Sequence, residues 1–323
     1  MSLPASLQGQ LSLPVVAAPM FIVSGPELVI EQCKAGIVGS FPALNARPQE
    51  RLDDWLAEIS ETLDAERVAH PQKKIAPYAV NQICHGSNDR LLADMTTCVK
   101  HKVPIIITSL RPPQEIVDAT HSYGGVIFHD VINLRHARKA ISQGVDGIIA
   151  VCAGAGGHAG TLSPFALAKE IRAEFDGTLL LSGAMSSGQD VLAAQSLGAD
   201  LAYIGSRFIA TAEANADPGY KQMLVDCVAS DIVYSSLFTG VLGNYLKPSI
   251  EKAGMDADNL PTADKSSMNF GSGGNTKSKA WRDIWGAGQG VGSINEIIPV
   301  ADLVAQMRDE YEDVRARLLG ATG

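Results

Sequence analysis

The first two thirds of the chain alternate short apolar runs, rich in Val, Ile and Leu, with longer amphipathic stretches. Near-continuous apolar runs are typical of strands buried on both faces, as in a parallel sheet. An amphipathic stretch after each run predicts a helix that returns the chain for the next parallel strand. We predict strands at residues 13–18, 37–41, 75–81, 104–109, 125–130, 147–151, 179–182 and 201–204. We predict helices at residues 26–35, 52–68, 88–101, 113–123, 135–143, 164–175, 189–197 and 207–214.

Eight strand–helix units favour an α/β fold of the (β/α)₈ TIM-barrel type. A doubly wound open sheet, which usually ends after about five or six strands, is the alternative. The alternation ends near residue 218. Residues 225–241 look helical, a polar, Gly-rich run extends from 261 to 292, and 297–319 has the pattern of an amphipathic helix. These stretches predict a smaller, mostly helical C-terminal appendage.

The predicted domains are a barrel at residues 1–216, a small helical and loop domain at 217–293, and a last helix at 294–323 that packs back on the barrel. The Gly-rich run of the small domain includes the FGSGGN segment at 270–275, for which a flexible surface loop is the alternative interpretation.

Charge and cysteine usage exclude several classes of protein. With 26 basic and 35 acidic residues the net charge is −9, which argues against a nucleic-acid or anionic-membrane partner. No apolar run approaches the ~18 residues of a membrane span. The five cysteines are scattered and lack CxxC spacing, which favours free thiols in a reducing cytoplasm and no metal site. A homodimer is left open.

The active site of a TIM barrel lies at the carboxyl ends of its strands, so the residues that follow each predicted strand indicate the chemistry. No lysine follows a strand, which argues against Schiff-base chemistry. No carboxylate or histidine cluster suits a metal site, and no carboxylate pair suits glycoside hydrolysis. The strand ends are instead rich in Gly, Ala, Ser and Asn. Such a mouth is typical of a site that holds an organic cofactor.

Small residues follow the last two predicted strands and suit a phosphate. Gly183 and Ala184 follow one strand, and Gly205 and Ser206 follow the next. Their backbone N–H groups can approach an anion, and the predicted helix from Arg207 would direct its positive end to the same point. Phosphate binding in these two loops recurs among TIM barrels. Plain tight turns are the alternative.

The loop after the sixth strand, residues 154–160, holds four glycines around His158. Glycine lets the backbone approach a flat ring closely, and histidine is the side chain best suited to move a proton near neutral pH. We therefore predict that His158 is catalytic, with a structural histidine as the alternative. His129 and Asp130 could simply cap a turn, and Cys152 is expected to pack rather than react.

Several segments together resemble the nitronate monooxygenase (2-nitropropane dioxygenase-like) family of FMN enzymes. The resemblance extends over about residues 13–300, and the Gly-Gly-His-x-Gly element is its most specific part. The segments are AAPM at 17–20, Asn81, GGHAG at 156–160, SGA at 182–184, LAYIGSRF at 201–208 and WGAGQGVG at 285–292. The family fold, a barrel with a smaller helical domain over FMN, agrees with the predicted layout.

The resemblance implies a role for each matching residue. His158 would be the base for neutral nitroalkanes or would position the anionic nitronate. The residues implied to bind FMN are Ala18 and Met20 (backbone contacts to the isoalloxazine), Asn81 (its edge), Gly156 and Gly157 (the ring face), Gly183, Ala184, Gly205 and Ser206 (the phosphate), and Gly288, Gln289 and Gly290 (a closing loop). Asp130 stands where some members have a lysine, which makes the local potential more negative.

The activity that the resemblance implies is oxidation of a nitronate by FMN and O₂ to a carbonyl compound and nitrite. The same scaffold supports NAD(P)H:quinone and enoyl-thioester reductases, whose FMN motifs are shared, so this alternative stays open. A non-catalytic flavin-binding barrel is a third interpretation. No GxGxxG follows the first strand, so a tightly bound dinucleotide is not expected.

Overall fold

Eight parallel strands form the barrel in the computed structural model, which describes residues 2–111, 114–263 and 284–320. Neighbouring strands follow the order β1-β9-β8-β6-β5-β4-β3-β2, and a parallel bridge between Val16 and Val38 joins the two ends. The barrel strands are β1 (Val15–Ala17), β2 (Gly39–Pro42), β3 (Tyr78–Ile83), β4 (Ile105–Ser109), β5 (Val126–Val131), β6 (Gly147–Val151), β8 (Thr178–Ser182) and β9 (Leu201–Ile204). The TIM-barrel prediction is confirmed.

Helices follow the barrel strands as the periodicity predicts. The helices are α1 (Pro26–Lys34), α2 (Arg51–Ala69), α3 (Leu91–Lys100), α4 (Gln114–His121), α5 (Leu134–Ile141), α6 (Pro164–Arg172), α7 (Gly188–Ser196), α8 (Ser206–Ile209), α9 (Pro218–Asp226), α10 (Lys247–Lys252) and α11 (Val300–Gly320). Short 3₁₀ turns lie at Ala43–Asn45, Ala229–Asp231 and Gln289–Ser293. Side chains cap several helices: Ser187 and Asp190, for example, form a capping box at the start of α7.

The strands are apolar on both faces because each face packs against a different core. Inside the barrel, residues such as Ile107, Phe128 and Ile149 are fully buried, and Leu7 joins them from the N-terminal segment. Outside it, residues such as Ile106 and Ile148 pack against the helices. This double burial explains the near-continuous apolar runs of the sequence.

A second, three-stranded antiparallel sheet lies over the carboxyl end of the barrel. It joins β10 (Ile232–Ser235) and β11 (Gly243–Leu246) to β7 (Gly157–His158), which is part of the loop after β6. The helix predicted at 225–241 is therefore wrong: only Val225 and Asp226 end α9, and β-branched residues at 232–233 begin a strand. The FGSGGN segment at 270–275 lies outside the described residues.

The helix predicted at 207–214 is also too long, because α8 ends at Ile209. The Arg207 guanidinium donates to the carbonyls of Ala210 and Glu296, at 3.3 Å each, and Thr211 forms a β-bridge with Ile298. Because of these contacts with residues 296–298, just before α11, residues 210–214 do not continue the helix.

The C-terminal helix α11 packs against α7. A Cβ at Gly188 would lie 1.7 Å from the Met307 carbonyl oxygen, so only glycine permits this approach. Glu310 accepts a hydrogen bond from the Gly188 N–H at 2.8 Å, and the Tyr311 hydroxyl donates to Gln195 at 2.6 Å. The division into domains at 216 and 293 stays a prediction. Within the described residues, no helix combines the length and apolarity that crossing a membrane needs.

Candidate active site at the carboxyl end of the barrel

A cavity of about 1090 Å³ opens at the carboxyl ends of the barrel strands. Its lining includes His158 and eleven of the twelve residues to which the resemblance gives a cofactor contact: Ala18, Met20, Asn81, Gly156, Gly157, Gly183, Ala184, Gly205, Ser206, Gly288 and Gly290. Gln289 does not line the cavity; its backbone N–H donates to the Gly154 carbonyl at 2.8 Å. Residues far apart in the sequence thus surround one space.

Two glycine segments, residues 154–157 and 286–290, cross each other at one wall of the cavity. A Cβ at Gly156 would lie 2.8 Å from the Gly288 nitrogen, and a Cβ at Gly288 would lie 2.5 Å from the Gly154 carbonyl oxygen. The Gly288 N–H donates to the Ser206 hydroxyl at 2.9 Å. Because no side chain separates these segments, this wall of the cavity is made of backbone.

The phosphate site is predicted in the turns after β8 and β9. Gly183 has φ +138°, and a Cβ there would lie 2.7 Å from the Ala153 carbonyl oxygen. Ala184 also has a positive φ, 54°. Within the described residues, the N–H groups of Gly183 and Gly205 have no hydrogen-bond acceptor. The following helix, α8, is a single turn, so the N–H groups would contribute more to binding an anion here than a helix dipole would.

Asn81 lies at the end of β3 and is buried. Its amide nitrogen donates to the Ile107 carbonyl at 3.2 Å and to the Ser109 hydroxyl at 2.9 Å. This arrangement fixes the side chain, and its Oδ1 accepts no hydrogen bond from the part of the chain that the structure describes. Asn81 therefore offers an oriented acceptor to a ligand N–H group in the cavity.

Asp130 lies at the end of β5 and lines the same cavity. Burial raises the pKa of its carboxyl to about 6, against the opposing effect of the Ser109 hydroxyl and the Leu110 backbone N–H. The carboxyl is thus neutral at mildly acidic pH and an anion at pH 8. Burial and this nearby charge both raise the pKa of Tyr203, another lining residue.

His158 is held over the cavity by the antiparallel sheet. Its Nε2 lies 2.9 Å from the Thr239 hydroxyl oxygen, which in turn lies 3.0 Å from the Val241 carbonyl. When Thr239 donates to Val241, it accepts from the Nε2–H, and the ring lone pair is on Nδ1. Burial lowers the pKa of His158 to about 4. The ring is therefore neutral at pH 7, and the same burial makes it a weaker base than an exposed imidazole.

Similarity to known proteins identifies the family. A sequence model of the family described as nitronate monooxygenase matches residues 7–310. The chain belongs to the nitronate monooxygenase family. Membership in this family makes the chain an oxidoreductase.

The relatives that match the chain share only modest sequence identity with it. A nitronate monooxygenase of Paraburkholderia phytofirmans is 26% identical over 93% of this chain and 92% of its own length. A putative monooxygenase of Mycobacterium tuberculosis is 27% identical over 68% of this chain, and the match spans 62% of that relative, less than two thirds. The solved structure of nitroalkane oxidase from Streptomyces ansochromogenes has a TM-score of 0.79, with 22% identity, over 97% of this chain and 100% of that one. That likeness shows the fold.

Other candidates from the sequence have structural roles. His129 is buried outside the cavity lining, with Nδ1 2.8 Å from the Thr108 hydroxyl, and burial lowers its pKa to about 4. Burial raises the pKa of Cys152 to about 12, so its thiol stays protonated and packs, as predicted. His136, on α5, lines the cavity.

Sequence reasoning did not single out the polar residues that hold the site loops. Thr239, the partner of His158, lies 81 residues away in the sequence. Asn45 accepts from the Ile22 N–H at 2.9 Å and donates to the Met20 and Ser24 carbonyls at 3.0 and 2.8 Å. It fixes the loop after β1, in which Ile22 has φ 69°, a strained value for a β-branched residue. Neither Thr239 nor Asn45 lies in a local sequence motif that points to its role.

Proposed function

We propose that the chain is an FMN-dependent enzyme that oxidises alkyl nitronates with O₂ to a carbonyl compound and nitrite. The observation that carries the proposal is the position of His158, a neutral imidazole over a cavity whose wall is built from glycine backbone. A proton acceptor next to a backbone wall for a flat ring suits carbon-acid substrates such as nitroalkanes.

The residues present fit a flavin mononucleotide. Side chains at Gly156 or Gly288 would collide with the backbone of the other segment, so glycine lets the two segments pack into a backbone wall. A Cβ at Gly157, which also lines the cavity, would meet nothing within 4 Å, so a flat ring would have room against that wall. Gly183 and Gly205 offer unsatisfied N–H groups for a phosphate, and Asn81 offers an acceptor for a ring N–H. When bound, a flavin supplies electron transfer from the substrate and the reaction with O₂.

His158 would act on the substrate in one of two ways. With a neutral nitroalkane, its ring lone pair accepts the proton from the carbon that bears the nitro group. With a nitronate anion, the negative charge raises the pKa of the ring, so the imidazole takes up a proton and holds the anion by a charge-assisted hydrogen bond. In both cases Thr239 keeps the ring in position.

The proposal is tested with the purified protein under anaerobic conditions. The protein should be yellow, and the flavin released by denaturation should comigrate with FMN. Mixing with ethylnitronate should bleach the flavin absorbance, and admission of O₂ should restore it with release of nitrite. A colourless protein that does not take up FMN contradicts the proposed cofactor.

NADH in place of nitronate separates the alternatives. Rapid bleaching by NADH, with none by ethylnitronate, would identify a quinone or enoyl-thioester reductase and refute the proposed reaction. A yellow protein that neither compound reduces would be a non-catalytic flavin-binding barrel. The His158→Asn variant serves as the matched control, since it keeps the ring-sized wall and removes the proton acceptor.

A further inference from the structure

We propose that the Asp130 carboxylate makes the bound flavin harder to reduce, by lowering the reduction potential of the flavin whenever the carboxyl is ionised. The inference rests on the proposed function in one respect, because it takes the cofactor in the cavity to be a flavin. It does not depend on which substrate reduces that flavin.

Asp130 belongs to the last layer of side chains that point into the barrel. The register of β4 and β5 places Ser109 next to Asp130, with their backbones one strand spacing, ~4.8 Å, apart. Asn81 pairs with Ile107 of the inner core, so its side chain also points inward. We call this layer the floor of the cavity. The floor residues that line the cavity are Asn81, Ser109, Asp130, Val151, Ser182 and Tyr203.

Ser109 joins Asp130 to the residue that is predicted to contact the flavin. The Asn81 amide nitrogen donates to the Ser109 hydroxyl oxygen at 2.9 Å, and the Ser109 hydroxyl in turn stabilises the Asp130 carboxylate. Because the serine oxygen accepts from Asn81, its own proton is available for the carboxylate. The negative charge therefore lies one hydroxyl away from the amide whose oxygen is offered to a ring N–H.

The surroundings of Asp130 do not neutralise its charge. In the part of the chain that the structure describes, the interactions that stabilise the anion come from the Ser109 hydroxyl and the Leu110 N–H. Burial and the Asp130 charge together raise the pKa of Cys84 to about 12 and that of Tyr203 well above its ordinary value, so both keep their protons. The basic side chains that line the cavity lie outside the barrel strands: Arg47, Arg51, His136 and His158.

Electrostatics gives the direction of the effect. Reduction adds electrons to the flavin ring, and a negative charge that water screens poorly disfavours this addition. Because burial raises the pKa of Asp130 to about 6, the carboxyl is ionised at pH 8 and neutral at pH 5. The effect should therefore be present at pH 8 and absent at pH 5. A lower potential makes the reduced flavin a stronger reductant, which favours transfer of its electrons to O₂.

The test is a redox titration of the flavin-loaded protein with dithionite against a reference dye, at pH 8 and at pH 5. Asp130→Asn keeps the size of the side chain and removes its charge. At pH 8 this variant should shift the equilibrium about tenfold toward reduced flavin, which is ~30 mV for a two-electron couple, and at pH 5 it should match the wild type. Asp130→Ser is a second uncharged variant, in case Asp130→Asn does not fold.

Asp118→Asn is the matched control. Asp118 is exposed on α4, outside the cavity lining, and its substitution removes the same charge from the chain. This variant should titrate like the wild type at both pH values. A shift equal to that of Asp130→Asn would attribute the effect to net charge and contradict a specific role of Asp130.

Equal potentials of the wild type and the uncharged Asp130 variants at pH 8 would overturn the inference, and so would a difference of the same size at both pH values. Dithionite reduces a flavin whatever the natural substrate is, so the titration does not require nitronate turnover. A wild type that holds no flavin contradicts the proposed cofactor. A flavin-loaded protein whose potential does not respond to Asp130 contradicts only this inference.

Discussion

Gly288 provides a direct test of the crossing between the two glycine segments. Its backbone, at φ −88° and ψ 167°, is one that alanine adopts freely. A Cβ there would nevertheless lie 2.5 Å from the Gly154 carbonyl oxygen and 2.9 Å from the Gly156 nitrogen. Since nonbonded atoms relax at about 3.5 Å, Gly288→Ala must move the two segments apart by ~1 Å.

The expected cost of this displacement is about 1–3 kcal/mol, the usual range for an inserted methyl group in a packed site. The shift also lengthens the hydrogen bond from the Gly288 N–H to Ser206, which now measures 2.9 Å. Gly286→Ala is the matched control, because a Cβ at Gly286 would have its nearest contact at 3.5 Å, from the Asn244 carbonyl oxygen. Both glycines line the cavity, so the two variants differ in sterics alone.

The assay combines thermal unfolding with flavin content after gel filtration. Gly288→Ala should lower the Tm by several degrees and reduce flavin retention, while Gly286→Ala should match the wild type in both. If the Gly288→Ala variant kept its flavin and its Tm, the segments would not cross as closely as described. If both variants lost flavin equally, the effect would come from the loop in general.

Three further predictions concern titratable groups. His158→Asn should keep its flavin and lose about 10²–10⁴ in kcat/KM for nitroethane but much less for ethylnitronate; equal losses would remove the role as base. The pKa of His129 is about 4, below its ordinary 6.5, so only the unfolded chain takes up this proton between those pH values. As the pH falls from 6.5 to 4, the free energy of unfolding should therefore decrease by up to about 3 kcal/mol more in the wild type than in His129→Gln. If urea unfolding gave the same decrease with pH for both proteins, this prediction would be contradicted. Asp130, with a pKa of about 6, should repel an anionic substrate above that pH. Asp130→Asn should therefore lower the KM for ethylnitronate about fivefold at pH 8, as ~1 kcal/mol of like-charge repulsion implies, and change it little at pH 5. A ratio of wild-type to variant KM that does not depend on pH would refute this prediction.

The barrel could be predicted from the sequence because its signals are local. The strand predicted at 147–151 has the same bounds in the structure, since a strand buried on both faces must be apolar throughout. The small residues after the last two barrel strands are predictable in the same way, from their place at strand ends. Once the strands are known, the barrel brings those ends together.

The errors and omissions arise where distant segments decide the structure. The apolar residues after Arg207 suit a helix, but contacts with Glu296 and Ile298 end it after one turn. The strand that contains His158 forms only by pairing with residues 243–244, so the loop after β6 shows no strand pattern of its own.

The position of His158 on β7 has a consequence for the timing of the reaction. This strand pairs with β11, and Thr239 comes from the connection between β10 and β11, so the imidazole and its partner both belong to the antiparallel sheet. If His158 is the base, as proposed, a movement that lifted this sheet would also withdraw the proton acceptor from the cavity. The proposed enzyme would then deprotonate its substrate only while the sheet lies closed over it.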